Sequence, residues 1–284
     1  MTHFADGADH RRALILANEL LAKDTFRLRV AAPTMAQLAV PGQFFMLRLP
    51  ECNDPLIGRA FALFDRGYDV GGNVDSLELV YLAKGKFTQR LAKSVAGDTV
   101  ELCGPLGNGF SPVPVDHLIM VAGGIGQTPF LALAREALGQ QQFGAPVRAS
   151  GYAARVSFCY GVRSADYLAG IDLFEQAGVE VHIATEDGSI GPPQRVTNVL
   201  EKLLLTGGEQ RCRIVCCGPE PMMAAVSTVA HKFNVPCEAS LETPMACGIG
   251  ICFTCVARIG SSEDWDYKRT CVEGPVFDAQ SIVW

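Results

Sequence analysis

Four cysteines near the end of the sequence have the residue type and spacing of a metal site. Four residues separate the first two, two separate the next two, and fifteen precede the last: Cys247, Cys252, Cys255 and Cys271. Thiolates at C-x4-C-x2-C, with a distant fourth cysteine, are the ligands of plant-type [2Fe-2S] clusters. Gly248 and Gly250 would let the backbone wrap closely around a cluster and direct amides at its sulfurs. We therefore predict a [2Fe-2S] site.

A structural zinc site is the alternative for these cysteines. Zinc sites of four cysteines usually combine two short C-x2-C-like pairs, whereas this sequence has one such pair and an x4 gap before it. The spacing favours iron and sulfide. The other seven cysteines are predicted to be small buried apolar residues: Cys52, Cys103, Cys159, Cys212, Cys216, Cys217 and Cys237.

Two turns in the middle of the sequence have the character of a dinucleotide site. Each joins an apolar strand to a helix, where backbone amides and the helix dipole would face a ligand at the carboxyl edge of a sheet. Purely structural turns remain the alternative. The candidate residues are Gly123, Gly124, Gly126 and Thr128 in the first turn, and Cys217, Gly218, Pro219 and Glu220 in the second.

A third strand end bears on the choice of nucleotide. Glu186 and Asp187 follow the strand-like run 179–184, and carboxylates there suit a ribose diol better than an added 2'-phosphate. This favours NAD. Arg163 and Ser164, after the run 156–160, leave NADP open.

The first third of the sequence carries a weaker flavin pattern. Arg59 lies in the strand-like segment Gly58-Arg59-Ala60-Phe61-Ala62-Leu63, and Lys84-Gly85-Lys86-Phe87-Thr88 leads from another strand into a helix. An arginine and helix N-terminal amides can both bind a pyrophosphate. A solvated arginine and an ordinary turn are the alternative interpretation.

The elements between these motifs predict a multidomain protein. Short apolar runs separated by Pro-Gly, Gly-Gly and Gly-Asp turns predict an antiparallel β-barrel over residues 11–113. Strands alternating with helices predict a doubly wound α/β nucleotide-binding domain over 114–236. Residues 237–284, rich in cysteine and glycine, are predicted to be a small cluster-bearing module.

Composition narrows the function classes. The 284 residues are 49% hydrophobic and 19% charged, which allows two or three cores. A net charge of -6 without a basic run makes nucleic acid an improbable partner. The sequence shows neither a signal peptide nor a stretch of about 18 apolar residues. We expect a soluble, cytoplasmic protein without a membrane partner.

In this order the barrel motif, the two turns and the terminal cysteines resemble the ferredoxin-NADP reductase superfamily over nearly the whole chain. Within it, the segments 241–255 and 271–277, together with Gly104-Pro105-Leu106-Gly107-Asn108-Gly109-Phe110, are similar to the electron-transfer subunits of NAD-dependent dihydroorotate dehydrogenases. The resemblance implies that FAD contacts Arg59, Ala60, Phe61 and Ala62, is flanked by Val80, Tyr81 and Leu82, and has its pyrophosphate near Phe87 and Thr88.

Two residues depart from that family's pattern. Ala62 stands where a serine or threonine is usual, which removes a hydroxyl that could bond the flavin N5 edge. Phe87 precedes Thr88 where the family usually has Gly-Thr. Flavin geometry and potential are the properties that these departures affect.

The resemblance also implies a redox role. Electrons would pass between NAD, FAD, the [2Fe-2S] cluster and a partner, an FMN-containing catalytic subunit that oxidises dihydroorotate in pyrimidine biosynthesis, in a heterotetramer. Two alternatives remain: a reductase subunit for a related ferredoxin or sulfide oxidoreductase, and a zinc-stabilised binding protein without redox chemistry. Trp265, Tyr267 and Trp284 are candidate partner anchors or core residues of the last module.

Overall fold

A computed structural model describes residues 7–51, 53–207 and 211–284. Its first part is a closed antiparallel barrel with the strand order β1-β2-β5-β4-β3-β6. Inward-facing positions on these strands, such as Leu28, Val30, Leu77 and Leu79, are fully buried, as period-2 alternation requires. The strands are β1 Asp9–Ala22, β2 Thr25–Ala31, β3 Phe44–Arg48, β4 Arg59–Tyr68, β5 Val74–Leu82 and β6 Thr99–Leu106.

Two short helices accompany the barrel. Helix α1 spans Pro33–Leu38, and helix α2 spans Lys86–Leu91. Helix α2 places Phe87 and Leu91 in the barrel core, together with Phe45 and Tyr81. The predicted barrel is confirmed, and it presents the end of β5 and the start of α2 side by side.

The second part is a parallel sheet with helices on its faces. Its parallel strands are β7 Val115–Gly123, β8 Ala153–Val162, β9 Glu180–Thr185, β10 Cys212–Cys217 and β11 Cys237–Ser240. The helices are α3 Phe130–Ala137, α4 Ile171–Gln176, α5 Val196–Thr206 and α6 Glu220–Lys232. The order β11-β10-β7-β8-β9 is that of a doubly wound fold, so this prediction is also confirmed.

The last part of the chain is joined to the central sheet, whereas the sequence predicted a separate module. It contains the hairpin of β12 Val256–Gly260 and β13 Trp265–Arg269, followed by β14 Val276–Asp278. Strand β14 pairs antiparallel with β11 at the edge of the central sheet. Strand β11, assigned by sequence to the terminal module, pairs with β10. Strand β11 therefore belongs to the nucleotide domain. In the sequence, the cluster module is inserted between β11 and β14, which are neighbours in that sheet.

The barrel and the sheet share a core. The rings of Phe64 and Phe174 lie 6.4 Å apart, and those of Phe110 and Phe130 lie 5.9 Å apart. Asp65 on β4 forms a buried ion pair with Arg135 on α3. The two domains are thus fixed against each other where β4 meets α3.

None of the helices within the described ranges combines the length and apolar character needed to cross a bilayer. Of the cysteines predicted to be buried, Cys159, Cys216, Cys217 and Cys237 are buried, whereas Cys103, at one of the alternate half-buried positions of β6, and Cys212, the first residue of β10, are partly exposed. Cys52 lies outside the described residues.

Candidate functional site

A central cavity of about 380 Å³ lies where the barrel, the sheet and the terminal module meet. Strands β4 and β5 form one wall, and the turns after β7, β10 and β11 form the others. Eight predicted cofactor residues line it: Ala60, Phe61, Ala62, Val80, Tyr81, Leu82, Thr128 and Cys217. The structure thus brings together residues that the sequence analysis assigned to two different motifs.

Tyr81 is held rigidly in the wall of the central cavity. Its hydroxyl donates to Asn18 Oδ1 at 2.9 Å, and its ring stacks on Phe26 with centroids 5.5 Å apart. Burial raises the pKa of Tyr81 to about 12. The phenol therefore stays neutral and presents a fixed aromatic surface.

Three other predicted flavin residues lie around this cavity rather than in its wall. Arg59 is exposed, and its Nη1 donates to the carbonyls of Ile57 and Gly58 at 3.0 Å each. Phe87 is buried in the barrel core. The Thr88 hydroxyl accepts hydrogen bonds from the amides of Lys84 and Gly85, both at 3.1 Å, and so shapes the turn before α2.

Two clefts continue from the central cavity along the carboxyl edge of the sheet. The inner cleft, of about 440 Å³, lies between Leu82 and Lys84 of the barrel and Tyr160 of the sheet. The outer cleft, of about 470 Å³, includes Glu186 and Arg195. Both clefts are lined by Gly123, Gly124, Arg163 and Pro219.

The remaining residues of the two turns have structural positions. A side chain at Gly126 would place its Cβ 2.2 Å from the Cys217 carbonyl oxygen, so close packing of the two turns requires glycine there. Gly218 has φ +146 and packs against the backbone of Gly123. Glu220 begins α6 and lines a separate cavity beside β12 and β13. The turns therefore support each other as well as the clefts.

Of the two carboxylates after β9, one lies in a cleft. Glu186 lines the outer cleft. Asp187 instead accepts hydrogen bonds from the Ser189 amide at 2.9 Å and the Ser189 hydroxyl at 2.6 Å, and these bonds lower its pKa. The sequence pattern could not separate the two carboxylates, because the turn that engages Asp187 depends on its backbone path.

An acid and a thiol meet where the central cavity joins the inner cleft. The Cys217 Sγ lies 3.8 Å from Glu242 Oε1. Glu242 opens to solvent in the cleft, yet the surrounding protein desolvates it, and this raises its pKa. Burial and the nearby carboxyl group raise the pKa of Cys217 well above its ordinary value. The Cys217 thiol therefore stays protonated, and Glu242 keeps its proton to a higher pH than a free glutamate does.

The four predicted cluster ligands form two pairs of thiols. Cys255 Sγ and Cys271 Sγ lie 3.2 Å apart, and the Cys252 thiol interacts with Cys247. The hydroxyl of Thr254, 3.1 Å from Cys252 Sγ, its amide and Cys247 lower the pKa of Cys252 to about 6. Among the described residues no group of three or more His, Cys, Asp or Glu side chains is close enough to hold a metal ion, so the four thiols stand as two separate pairs. Two pairs suit two irons.

The backbone around these thiols also fits a cluster. Gly248 and Gly250 have φ values of +72 and +79, which glycine adopts readily. The Ile249 amide donates to Cys247 Sγ at 3.4 Å, and the Gly250 amide is directed at the Cys271 thiol. Amides directed at sulfur stabilise thiolate ligands. The donor set and its backbone therefore match the predicted [2Fe-2S] group.

Family models match all three parts of the chain. Residues 13–110 match an oxidoreductase FAD-binding domain, and residues 120–228 match an oxidoreductase NAD-binding domain. Residues 242–283 match the iron-sulfur cluster binding domain of dihydroorotate dehydrogenase B. FAD-, NAD- and cluster-binding domains are thus present in this order.

Curated relatives extend this similarity to almost the full length. The electron transfer subunit of dihydroorotate dehydrogenase B (NAD(+)) from Desulforamulus reducens is 34% identical over 273 residues, which cover 96% of this chain and 97% of the relative. The chain belongs to the family of dihydroorotate dehydrogenase B electron transfer subunits. Its Geobacillus kaustophilus member is 33% identical and is covered to 98% by the match, which includes 96% of this chain.

Solved structures agree with the fold of this family. A chain from the NADH-dependent reduced ferredoxin-NADP oxidoreductase, studied for flavin-based electron bifurcation, has a TM-score of 0.79 and 26% identity, with 96% of this chain and 90% of that chain covered. The flavohem-like FAD/NAD binding domain of nitric oxide dioxygenase from Vibrio cholerae has a TM-score of 0.63 and 19% identity, covering 82% and 99%. The family has the ferredoxin-NADP reductase fold, as predicted.

Several residues that line the cavities were not predicted from the sequence to be site residues. Glu242 lines both the central cavity and the inner cleft, and Ile125 does so as well. Met245 and Pro275 bring the terminal module into the wall of the central cavity. The position of Glu242, directly after the strand that follows α6, was the available signal, since ligands bind beyond the carboxyl ends of parallel strands.

Proposed function

We propose that the central cavity holds the redox-active ring of FAD and that the inner and outer clefts hold the nicotinamide and adenosine ends of NAD. The observation that carries this proposal is the meeting of three walls at one cavity: Tyr81 of the barrel, Ile125 of the sheet and Met245 of the cluster module all line it. A flavin there would touch all three domains. NAD is favoured over NADP by Glu186 in the outer cleft.

The four cysteines would hold the cluster beside this cavity. Phe44 and Met46 of β3 pack in one apolar group with Cys255 and Cys271. A side chain at Gly248 would meet Met46 Cγ at 2.5 Å, so the loop lies tightly on the barrel. The cysteine module is thus seated on the strand that borders the proposed flavin site.

FAD bound there would supply hydride exchange with the nicotinamide and single-electron exchange with the cluster, and so would convert two-electron into one-electron transfer. The chain positions these groups. Tyr81 offers an aromatic surface, Cys217 and Glu242 face the junction of cavity and cleft, and apolar residues around Cys255 exclude water. Arg59 would turn from its carbonyl partners toward the FAD pyrophosphate.

We further propose that the partner is an FMN-containing catalytic subunit that oxidises dihydroorotate in cytoplasmic pyrimidine biosynthesis, within a heterotetramer. The names of the relatives from Desulforamulus reducens and Geobacillus kaustophilus support such a partner. The three functional segments would be a barrel over 11–113, a nucleotide domain from 114 to the end of β11, and the cluster module beyond it.

A second candidate acceptor is a ferredoxin-linked system. The observation that favours it is the similarity to the NADH-dependent reduced ferredoxin-NADP oxidoreductase, with a TM-score of 0.79 over 96% of this chain. Both candidates use the same cavity and clefts. They differ in the protein that docks beside the cluster.

A pair of exposed aromatic residues is a candidate anchor for the partner. Trp265 and Tyr267 pack edge to face with centroids 5.1 Å apart, and they remain 38% and 57% exposed. Trp284 instead packs against the core beneath α6. Aromatic side chains of this kind often dominate the affinity of an interface. Trp265→Ala should weaken catalytic-subunit binding in a titration, whereas Tyr68→Ala, an exposed barrel tyrosine, should not.

The function is tested by anaerobic spectroscopy of the purified chain with and without a co-purified catalytic subunit. NADH should bleach the flavin and cluster bands of the chain alone. Dihydroorotate should reduce NAD⁺ only when both subunits are present. Cys271→Ser should abolish NAD⁺ reduction while the catalytic subunit still reduces an artificial dye.

The outcomes separate the candidates. Bleaching by NADH combined with electron transfer to ferredoxin, and no NAD⁺ reduction by dihydroorotate in the complex, would favour the second acceptor. A purified chain without visible absorption after cluster reconstitution and FAD addition would contradict both candidates.

A further inference from the structure

Arg269 connects the segment that contains Gly250 to the segment that contains Glu273. It ends β13, two residues before Cys271. Its Nη1 donates to the Gly250 carbonyl at 3.1 Å. Its Nε and Nη2 donate to the Glu273 carboxylate at 3.3 Å and 2.8 Å. Its guanidinium carbon lies 5.3 Å from the centroid of the Phe253 ring.

The cluster loop, residues 247–255, needs such external support. It contains neither helix nor strand. Gly250 has φ +79, and Phe253 has φ +56, a left-handed conformation that is strained for a residue other than glycine. Phe253 is also 61% exposed, so core packing does not hold it. Contacts from outside the loop must therefore maintain its path.

We propose that Arg269 is a positioning residue for the cluster. One guanidinium nitrogen donates to the Gly250 carbonyl, and the two others donate to the Glu273 carboxylate. The planar group also packs over the Phe253 ring. This holds the Gly250 amide toward the Cys271 thiol and keeps the Cys247–Cys252 pair in register with the Cys255–Cys271 pair. The inference rests on the proposed ligand role of the four cysteines and is independent of the partner's identity.

The same contact extends toward the flavin side. The Glu273 carboxylate also accepts a hydrogen bond from the Arg269 amide at 2.8 Å. Asn108 at the end of the barrel donates from Nδ2 to the Glu273 carbonyl at 3.2 Å and from its amide to the Gly274 carbonyl at 2.6 Å. Pro275, the next residue, lines the central cavity. Arg269 thereby connects the cluster loop to the wall of the proposed flavin site.

A geometric role and a simple charge effect make different predictions. Lysine keeps the positive charge but lacks the planar fork, whereas glutamine lacks the charge. If the fork positions the loop, Arg269→Lys and Arg269→Gln should both weaken cluster retention. Lys268→Gln is the matched control, because Lys268 is the adjacent residue and its Nζ contacts Asp266, outside the cluster loop.

The experiment measures the rate at which a chelator extracts iron from the full chain, followed by the loss of the cluster's visible band, together with the EPR spectrum of the reduced cluster. Both Arg269 variants should lose iron about tenfold or more faster than the parent, and their EPR lines should broaden or shift, because loss of such supporting bonds typically lowers metal affinity 10–100-fold. Lys268→Gln should match the parent.

Parent-like extraction and spectra in both Arg269 variants would overturn the proposal, and so would full recovery by Arg269→Lys. If neither Arg269 variant folds, judged by loss of bound FAD, Glu273→Gln decides: faster iron loss supports the proposal and a parent-like rate overturns it. A parent chain that never takes up a cluster would instead contradict the assignment of the four cysteines.

Discussion

The Sγ of Cys217 lies 3.8 Å from Oε1 of Glu242, at the junction of the central cavity and the inner cleft. Cys217 is the last residue of β10 and Glu242 lies two residues beyond β11, so the parallel edge brings together groups 25 positions apart. In the proposed assignment this is where nicotinamide meets flavin. The charge of Glu242 should therefore affect the oxidised and reduced nicotinamide differently.

Glu242→Gln should weaken binding of NAD⁺ more than binding of NADH. The oxidised ring carries a positive charge that a carboxylate attracts, whereas the reduced ring is neutral. Because desolvation raises the Glu242 pKa, the parent should lose its preference for NAD⁺ as the pH falls through that raised value. Fluorescence titrations at about pH 5 and 8 measure both affinities. An unchanged ratio in the variant would contradict this role, and Glu175→Gln, exposed on α4, is the control.

Asp65→Asn should stabilise the protein increasingly as the pH rises from about 4 to 7.5. Burial raises the Asp65 pKa to about 6, and this outweighs the attraction of Arg135. A raised carboxyl pKa favours folding below the unfolded value of 3.8, and that contribution is lost as the pH rises through about 6. The difference at pH 7.5 should be on the order of 1–3 kcal/mol.

Thermal unfolding at several pH values measures this effect. Asp116→Asn is the control of opposite sign, because the Arg211 side chain and backbone amide lower the Asp116 pKa. Its removal should destabilise the protein slightly above about pH 4. A pH-independent difference between Asp65→Asn and the parent would show that Asp65 is ionised throughout the range.

Cys252 should be the fastest thiol to react with iodoacetamide in protein stripped of its cluster. Thr254 and Cys247 lower its pKa to about 6, and the thiolate is the nucleophile. Burial and Cys255 raise the pKa of Cys271 to about 12, so that thiol should react slowly. Pulse alkylation followed by peptide mass spectrometry gives the rates. Slower labelling of Cys252 than of partly exposed Cys103, whose pKa is raised by burial, would contradict the prediction.

Ala62→Ser should tighten FAD binding by about 2–10-fold, the range expected for one net hydrogen bond of about 0.5–1.5 kcal/mol. Ala62 lines the central cavity and pairs with Phe44 across the β3–β4 ladder. Serine there would supply the hydroxyl that the family usually has. Flavin fluorescence titration measures the affinity. Ala60→Ser, two residues earlier and on the same face of β4, is the comparison, and equal effects at both positions would argue against a specific bond.

The sequence predicted the domain types because local patterns encode them. Alternating residues such as Leu28 and Val30 define barrel strands, and an apolar run ending in Gly123 defines a parallel strand before a turn. The cysteine spacing predicted an iron-sulfur module, and residues 242–283 match a cluster-binding domain. Residues Cys237–Ser240 lie in the cysteine-rich tail of the sequence, yet the structure pairs them with β10, and the local pattern does not indicate this pairing.

The directions of individual side chains could not be predicted from the sequence. Glu186 and Asp187 are adjacent acids, yet Glu186 lines the outer cleft whereas Asp187 accepts a hydrogen bond from Ser189. The sequence marks Glu242 only as part of a longer motif, although its side chain lines two cavities. Such distinctions depend on which strands become neighbours, a tertiary property that single-residue types do not determine.

The pairing of β11 with β14 gives the cluster segment an unusual topology. The chain leaves the central sheet at Ser240 and returns to the adjacent position at Val276. In topological terms the iron-sulfur segment is a very long hairpin loop of the nucleotide domain. Such a segment can be exchanged or lengthened between fixed ends without altering the register of the sheet, so a chimaera joined at these two residues could carry a different redox centre on the same flavin scaffold.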